Sequence, residues 1–237
     1  MTCLWRICSS SLLAIPVAAA SLAGNILLFD SREGSQRKKK DYSGVVVWLD
    51  PVPGPPKLPL PRVFTIRQKD KRFVPHVLAI PTGSTVDFPN LDPIFHNAFS
   101  NFAGQPFDTG LYPPGGTQKI RFRRPGIVRV FCNIHASMSA VIAVLDTPYF
   151  ATTERDGTFL IEGIPPGEYK LQVWHERATL ETLDRLTRTV QLSSGEVTLP
   201  PLEISESGFV QTPHKNKYGR EYPPEPSDKG AYPGGRQ

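Results

Sequence analysis

Sulfur is scarce in this chain. Its 237 residues include three cysteines and two methionines. The cysteines are Cys3, Cys8 and Cys132. The first two lie in the opening stretch MTCLWRICSSSLLAIPVAAASLAGN, where a basic residue (Arg6) precedes an apolar run and then small residues. That is the order of a secretory signal peptide. Ser21-Leu22-Ala23 fits a small-x-small cleavage pattern, and Ala18-Ala19-Ala20 is a competing site. The apolar run is short and broken by Pro16, which favours cleavage over a retained anchor. No cysteine follows it to carry a lipid. Cleavage after Ala23 leaves Cys132 as the single thiol of a periplasmic or secreted chain, so no internal disulfide can form. A lone thiol in an oxidising compartment is either buried and inert or committed to chemistry.

Other absences narrow the function. Past the signal, no stretch is long and apolar enough to span a membrane. No phosphate-binding loop and no Ser/His/Asp constellation stands out, so the sequence does not read as a self-contained enzyme. An exported chain without a recognisable nucleic-acid module is not expected to bind nucleic acid, despite its net charge of +5. That charge would steer the protein toward an acidic partner or a membrane surface. The basic run Arg37 to Lys40 reads as a solvated loop rather than a docking patch.

Proline and glycine are plentiful, 25 and 19 residues, and they separate short apolar runs. This punctuation predicts strands and turns. Two strands are expected around Ile26 to Phe29 and Val45 to Leu49, followed by the Pro-rich linker PVPGPPKLPLP. A series of strand-length segments comes next: RVFTIRQ, PHVLAIPTG, STVDFPN, QKIRFRRPG, IVRVFCN and SAVIAVLD. Ile120 and Phe122 share one face, as do Val128, Val130 and Cys132, so Cys132 should point inward if the valines do. A further pattern begins at ATTERDGTFLIEGIPPGEYKLQVWHE, with Asp156-Gly157 as a turn signal and alternation at Phe159, Ile161, Tyr169, Leu171 and Val173. The segment from Ser205 onward is polar and Pro-rich and is expected to be disordered or loosely attached.

The chemistry concentrates in VFCNIHASM, where Cys132, His135 and Met138 are spaced three apart. Thiolate, imidazole and thioether are soft or borderline ligands that suit copper, with zinc a competitor. Three residues of chain reach at most about 10 Å, so Cys132 and His135 can share one ion through a tight turn, and Met138 can close the loop. A fourth ligand must come from elsewhere. His76 starts a strand, His175 ends one in the other pattern, and His214 is in the tail; all three read as surface or hydrogen-bonded residues. His96, in the polar turn NLDPIFHNAFS, is the loop residue chosen as the partner.

With these residues in view, residues 62 to 145 resemble a blue copper protein of the cupredoxin family. The resemblance is carried by RFVPHVLAIPTGSTVDFPNLD, FHNAFS and FDTGLYPPGGTQKIRFRRPGIVRVFCNIHASM, and the short ligand spacing is similar to that of amicyanin. It implies one type 1 copper per chain held by His96, Cys132 and His135, with Met138 in the weak axial position. It also implies that Asn97 hydrogen-bonds near the thiolate and ties the two ligand loops together. The ATTERDGTFLIEGIPPGEYKLQVWH stretch resembles a transthyretin-like (carboxypeptidase regulatory-like) β-sandwich that lacks its first two strands here. The whole chain also resembles bacterial periplasmic proteins described as plastocyanin-like or methylamine-utilisation-like.

The expected architecture is therefore all-β: a Greek-key cupredoxin sandwich inserted in, or adjoining, a second sandwich. The expected divisions are a signal peptide at 1–23, first strands of a split sandwich at 24–52, a linker at 53–61, a copper domain at 62–146, the rest of the split sandwich at 147–204, and a disordered tail at 205–237. Two consecutive domains are the competing arrangement. The resemblance implies a one-electron carrier that cycles between Cu(I) and Cu(II) and docks a redox protein such as a cytochrome or dehydrogenase. His135 would be the electron port, with Ala136, Pro93, Ile94 and Phe95 as an apolar docking rim. Multicopper oxidases would require His-x-His pairs, and a binuclear purple copper centre needs a second cysteine in the loop; neither is present. Copper storage or delivery, and a non-redox secreted binding scaffold, are the alternative functions.

Overall fold

The computed structural model describes residues 19–31, 41–52, 54, 60–209 and 214–223. Most of the expected signal peptide, the Arg37–Lys40 run, most of the Pro-rich linker and residues 224–237 lie outside these residues. The described chain is almost entirely β, as its composition and alternation predict.

In chain order the strands are β1 (Ala20–Phe29), β2 (Val46–Val52), β3 (Val63–Thr65), β4 (Arg67–Lys69), β5 (Arg72–Val74), β6 (Val77–Pro81) and β7 (Thr85–Pro89). Next come β8 (Phe99–Ser100), β9 (Phe107–Asp108), β10 (Thr117–Arg121), β11 (Gly126–Phe131) and β12 (Ser139–Leu145). The last are β13 (Phe150–Thr152), β14 (Thr158–Ile164), β15 (Gly167–Trp174), β16 (Arg188–Leu192), β17 (Gly195–Thr198) and β18 (Leu202–Ser205). One short helix, α1 (Leu180–Leu186), lies between β15 and β16 and was not expected from the sequence. Thr179 caps it, its hydroxyl accepting from the Thr182 N–H, and Leu183 turns inward. RVFTIRQ, read as one strand, is two: the chain breaks at the buried Ile66, whose N–H crosses to Asp87.

Pairing joins segments far apart in sequence. β1 pairs antiparallel with β14 and parallel with β17 and β18. β2 lies between β13 and β15, and β16 adds outside β15. Leu22, Ile26, Val47 and Leu49 from the early strands share a core with Ile161, Ile164, Leu171 and Ile204. The turn expected at Asp156-Gly157 shows why glycine stands there. Its φ is +88°, and a Cβ would sit 2.2 Å from the Ile26 carbonyl oxygen.

Between these segments the chain builds separate sheets, in the orders β10-β7-β3 and β6-β12-β11-β8-β9. Their core is richer in aromatics: Phe73, Phe88 and Phe122 pack with Ile80, Val86, Val128 and Val130. Cys132 and Met138 belong to the same core, so the parity argument for Cys132 holds. Strand β12 is buried on both faces. Ala140, Ile142 and Val144 face the aromatic core, while Ala143 and Leu145 pack against Val46 at the seam with the other sheets. A strand buried on both sides must be nearly continuous in apolar residues, which SAVIAVL is.

Two expected divisions fall among packed residues. Ala20 and Leu22 are buried and paired in β1, so a cut after Ala23 would run through a core strand. A cut after Ala20, the competing site, keeps Leu22. In the tail, residues 214–223 pack on the protein instead of standing apart, for reasons given below.

Candidate metal centre

The site is built where two loops meet at one end of the aromatic core. The first runs from β7 to β8 and carries His96. Asn90 shapes it: its side-chain amide donates to the Ile94 carbonyl at 2.8 Å, and its oxygen accepts from the Asp92 N–H at 3.1 Å. His96 is then locked to Tyr112 by a reciprocal backbone pair of 3.3 and 2.9 Å. Tyr112 is itself buried, and its hydroxyl donates to the Phe88 carbonyl at 2.8 Å.

The second loop joins β11 to β12 and contains Cys132, His135 and Met138. The Cys132 N–H donates to the Met138 carbonyl, and the Met138 N–H to the His135 carbonyl, both at 3.1 Å. These bonds curl the Cys-x-x-His-x-x-Met segment into a closed turn, bringing His135 back toward the sulfur. Met138 is fully buried.

His96, Cys132 and His135 each direct one donor atom to a common point, and the three atoms lie within 4.8 Å of one another. Cys132 Sγ is 3.9 Å from His96 Nδ1 and 3.7 Å from His135 Nδ1. Metal bonds of about 2.0 Å to nitrogen and about 2.3 Å to sulfur, opened to roughly 115°, separate nitrogen and sulfur by about 3.7 Å. The two nitrogen–sulfur separations are therefore of the size that one shared ion requires. Cys132 and His96 are fully buried, and His135 is 7% exposed. The ring expected at the surface shows only an edge. Among the described residues, these three form the one cluster of His, Cys, Asp or Glu arranged to hold a metal.

Sequence reasoning missed Asp92. Its carboxylate sits 2.7 Å from His96 Nε2 and accepts the N–H groups of Asp70 and Lys71 at 2.6 and 2.9 Å. Asp70 and Lys71 both have positive φ, 53° and 55°, in the tight turn between β4 and β5. Charge-assisted bonds to Asp92 offset the cost of that conformation. Burial raises the Asp92 pKa, but these hydrogen bonds outweigh it and hold the carboxyl below its ordinary value. Burial also lowers the His96 pKa, against the opposing pull of Asp92. An ionised Asp92 fixes the proton on Nε2 of a neutral ring, which leaves the Nδ1 lone pair facing Cys132. An Asp four residues before a His is too common a spacing to have been singled out in the sequence.

Asn97 accepts from the Asn133 N–H at 2.7 Å and donates to Asp108 at 3.2 Å, so it bridges the two ligand loops. Pro93, Phe95 and Ala136 are exposed near the ligands and Ile94 is partly so; Leu91 and Leu111 extend the apolar surface. Of the remaining histidines, His76 bonds to Glu176 at 2.6 Å and to the Ser139 carbonyl at 3.0 Å. His175 is buried against Glu206 at 2.7 Å. His214, read as a surface or hydrogen-bonded residue, is hydrogen-bonded to the ligand loop, with Nε2 2.7 Å from the Ala136 carbonyl oxygen.

No protein-family model matches the chain, and no curated protein is similar to it. Solved structures overlap about a third of it. A copper-containing nitrite reductase from Thermus scotoductus SA-01 is 33% identical over 37% of this chain, with a TM-score of 0.34. This chain spans 23% of that protein's length. A purple cupredoxin from Nitrosopumilus maritimus is 23% identical over 35% of this chain and 99% of its own, with a TM-score of 0.32. Amicyanin from Paracoccus versutus is 17% identical over 35% of this chain and 81% of its own, also with a TM-score of 0.32.

Proposed function

We propose that this chain is an exported type 1 copper protein that carries single electrons, with one copper held by His96, Cys132 and His135 and Met138 as a weak fourth donor. The observation that carries the reading is the convergence of one thiol sulfur and two imidazole Nδ1 atoms at a buried point. One thiolate and two imidazoles serve both Cu(I) and Cu(II), so bound copper would supply a one-electron couple with little rearrangement. The chain's own residues do the rest. Asp92 orients His96, Asn97 ties the loops, and the aromatic core excludes water from the sulfur side.

His135, the one donor with some exposure at 7%, would be the electron port, and the apolar residues around Phe95 and Ala136 suit brief docking of a redox protein. The flanking sheets, with residues 20–52 and 150–205 sharing a core, support reading them as one transthyretin-like sandwich interrupted by the copper module.

The test is to express the processed chain, load Cu(II), and record visible and EPR spectra beside those of Cys132→Ser. An intense thiolate-to-copper band, absent in the variant, is expected. Colourless protein whose weak copper binding survives loss of Cys132 would overturn the assignment.

A further inference from the structure

The segment from His214 to Tyr222 lies against the ligand loop and bonds to its backbone at two carbonyls. The His214 ring stacks on Phe131, centroids 4.0 Å apart and planes 28° from parallel. Its Nε2 donates to the Ala136 carbonyl at 2.7 Å. One ring therefore clamps both ends of the turn, the residue before Cys132 and the residue after His135. Tyr222 donates its hydroxyl to the Cys132 carbonyl at 2.7 Å and sets its ring edge-on to His214 at 5.1 Å.

Between these anchors, the Lys217 N–H donates to the Asn133 side chain at 3.0 Å, and Lys217 Nζ pairs with Asp108 at 2.6 Å. Asp108 is also the acceptor for Asn97, which holds the Asn133 N–H. The segment thus joins the network that ties the two ligand loops. Carbonyls of a tight turn that find no partner within it must turn to water or to another part of the chain. Here Cys132 and Ala136 find theirs in the C-terminal segment. A loop held in its bound shape before the metal arrives loses less freedom on binding.

We infer that the His214–Tyr222 segment is a strap that completes the metal site, holding the Cys132–Met138 turn in its ligating shape and slowing escape of the metal. The inference rests on the copper reading for the identity of the metal, but not for the effect on the loop.

The experiment compares the full chain with a chain ending at Phe209 and with the pair His214→Ala/Tyr222→Phe. Hydrogen exchange of the Cys132, Asn133 and Met138 amides is measured on metal-free protein. Release of bound Cu(I) to a chelator is measured on loaded protein. At least tenfold faster exchange in both variants, with similarly faster release, is expected, while amides of β14 and β15 exchange as before. If the truncated chain fails to fold, the double variant decides. Exchange and release within twofold of the full chain would overturn the strap. A full chain that binds no copper through Cys132 would instead sink the copper reading, and the exchange comparison would still judge the strap.

Discussion

His96 and His175 share one kind of pairing in two different surroundings. Both are buried, and each brings Nε2 to within 2.7 Å of a carboxylate, Asp92 for one and Glu206 for the other. The difference lies at the second ring nitrogen and around the carboxylate. His96 turns Nδ1 toward the sulfur of Cys132 and the ring of His135, and its Asp92 is held by backbone N–H groups of a turn. Glu206 takes a second partner, the Arg177 guanidinium at 2.8 Å. The same histidine–carboxylate pairing thus serves two different surroundings, one beside a thiol and one beside a guanidinium.

The largest expected effect breaks that comparison directly. His96→Gln should lower copper affinity by at least a thousandfold while the metal-free protein keeps its melting temperature within a few degrees, because Gln cannot present an imidazole lone pair. His175→Gln should do the reverse, leaving the copper spectrum unchanged and lowering stability by about 2 kcal/mol in urea titrations, since it disturbs a buried hydrogen bond to a carboxylate. A spectral change in the His175 variant would show that the two clusters are coupled.

A smaller effect is expected one step from the metal. Asp92→Asn keeps an acceptor near His96 but removes the charge, and should weaken copper binding by about 10- to 100-fold. Competition against a chelator of known affinity measures it; unchanged affinity would mean that packing alone orients the ring.

The smallest effect is a pH dependence. Burial raises the Glu206 pKa, but hydrogen bonds from His175 and Arg177 overcome this and lower it from 4.5 to about 2. A depressed carboxyl pKa contributes stability that is fully present above the unfolded value and disappears as pH falls through the folded one. Unfolding free energy of the metal-free protein should therefore decline between about pH 4.5 and pH 2, and Glu206→Gln should flatten that decline. An equally steep decline in the variant would move the acid sensitivity to other carboxylates.

The legible parts of the molecule were those set by neighbours in sequence. Alternation through Val128, Val130 and Cys132 placed the thiol inside, and the Asp156-Gly157 pair marked a turn that only glycine can make. The break at Ile66 was not legible, because RVFTIRQ contains no glycine, proline or other turn signal, and Ile66 is singled out only by its bond to Asp87 across the sheet. Nor was the short helix at Leu180–Leu186, whose signal is one Thr cap and a few leucines.

The sequence alone determined the donor chemistry: a thiol, an imidazole and a thioether three residues apart can reach one ion because so few bonds separate them. Tertiary structure decided that His96 comes to lie beside Cys132, that Asp92 sits against its ring, and that His214, 78 residues beyond Ala136, returns to the loop. Local spacing limits distance over a few residues, whereas contacts between distant segments are set by strand register and the packing of the cores.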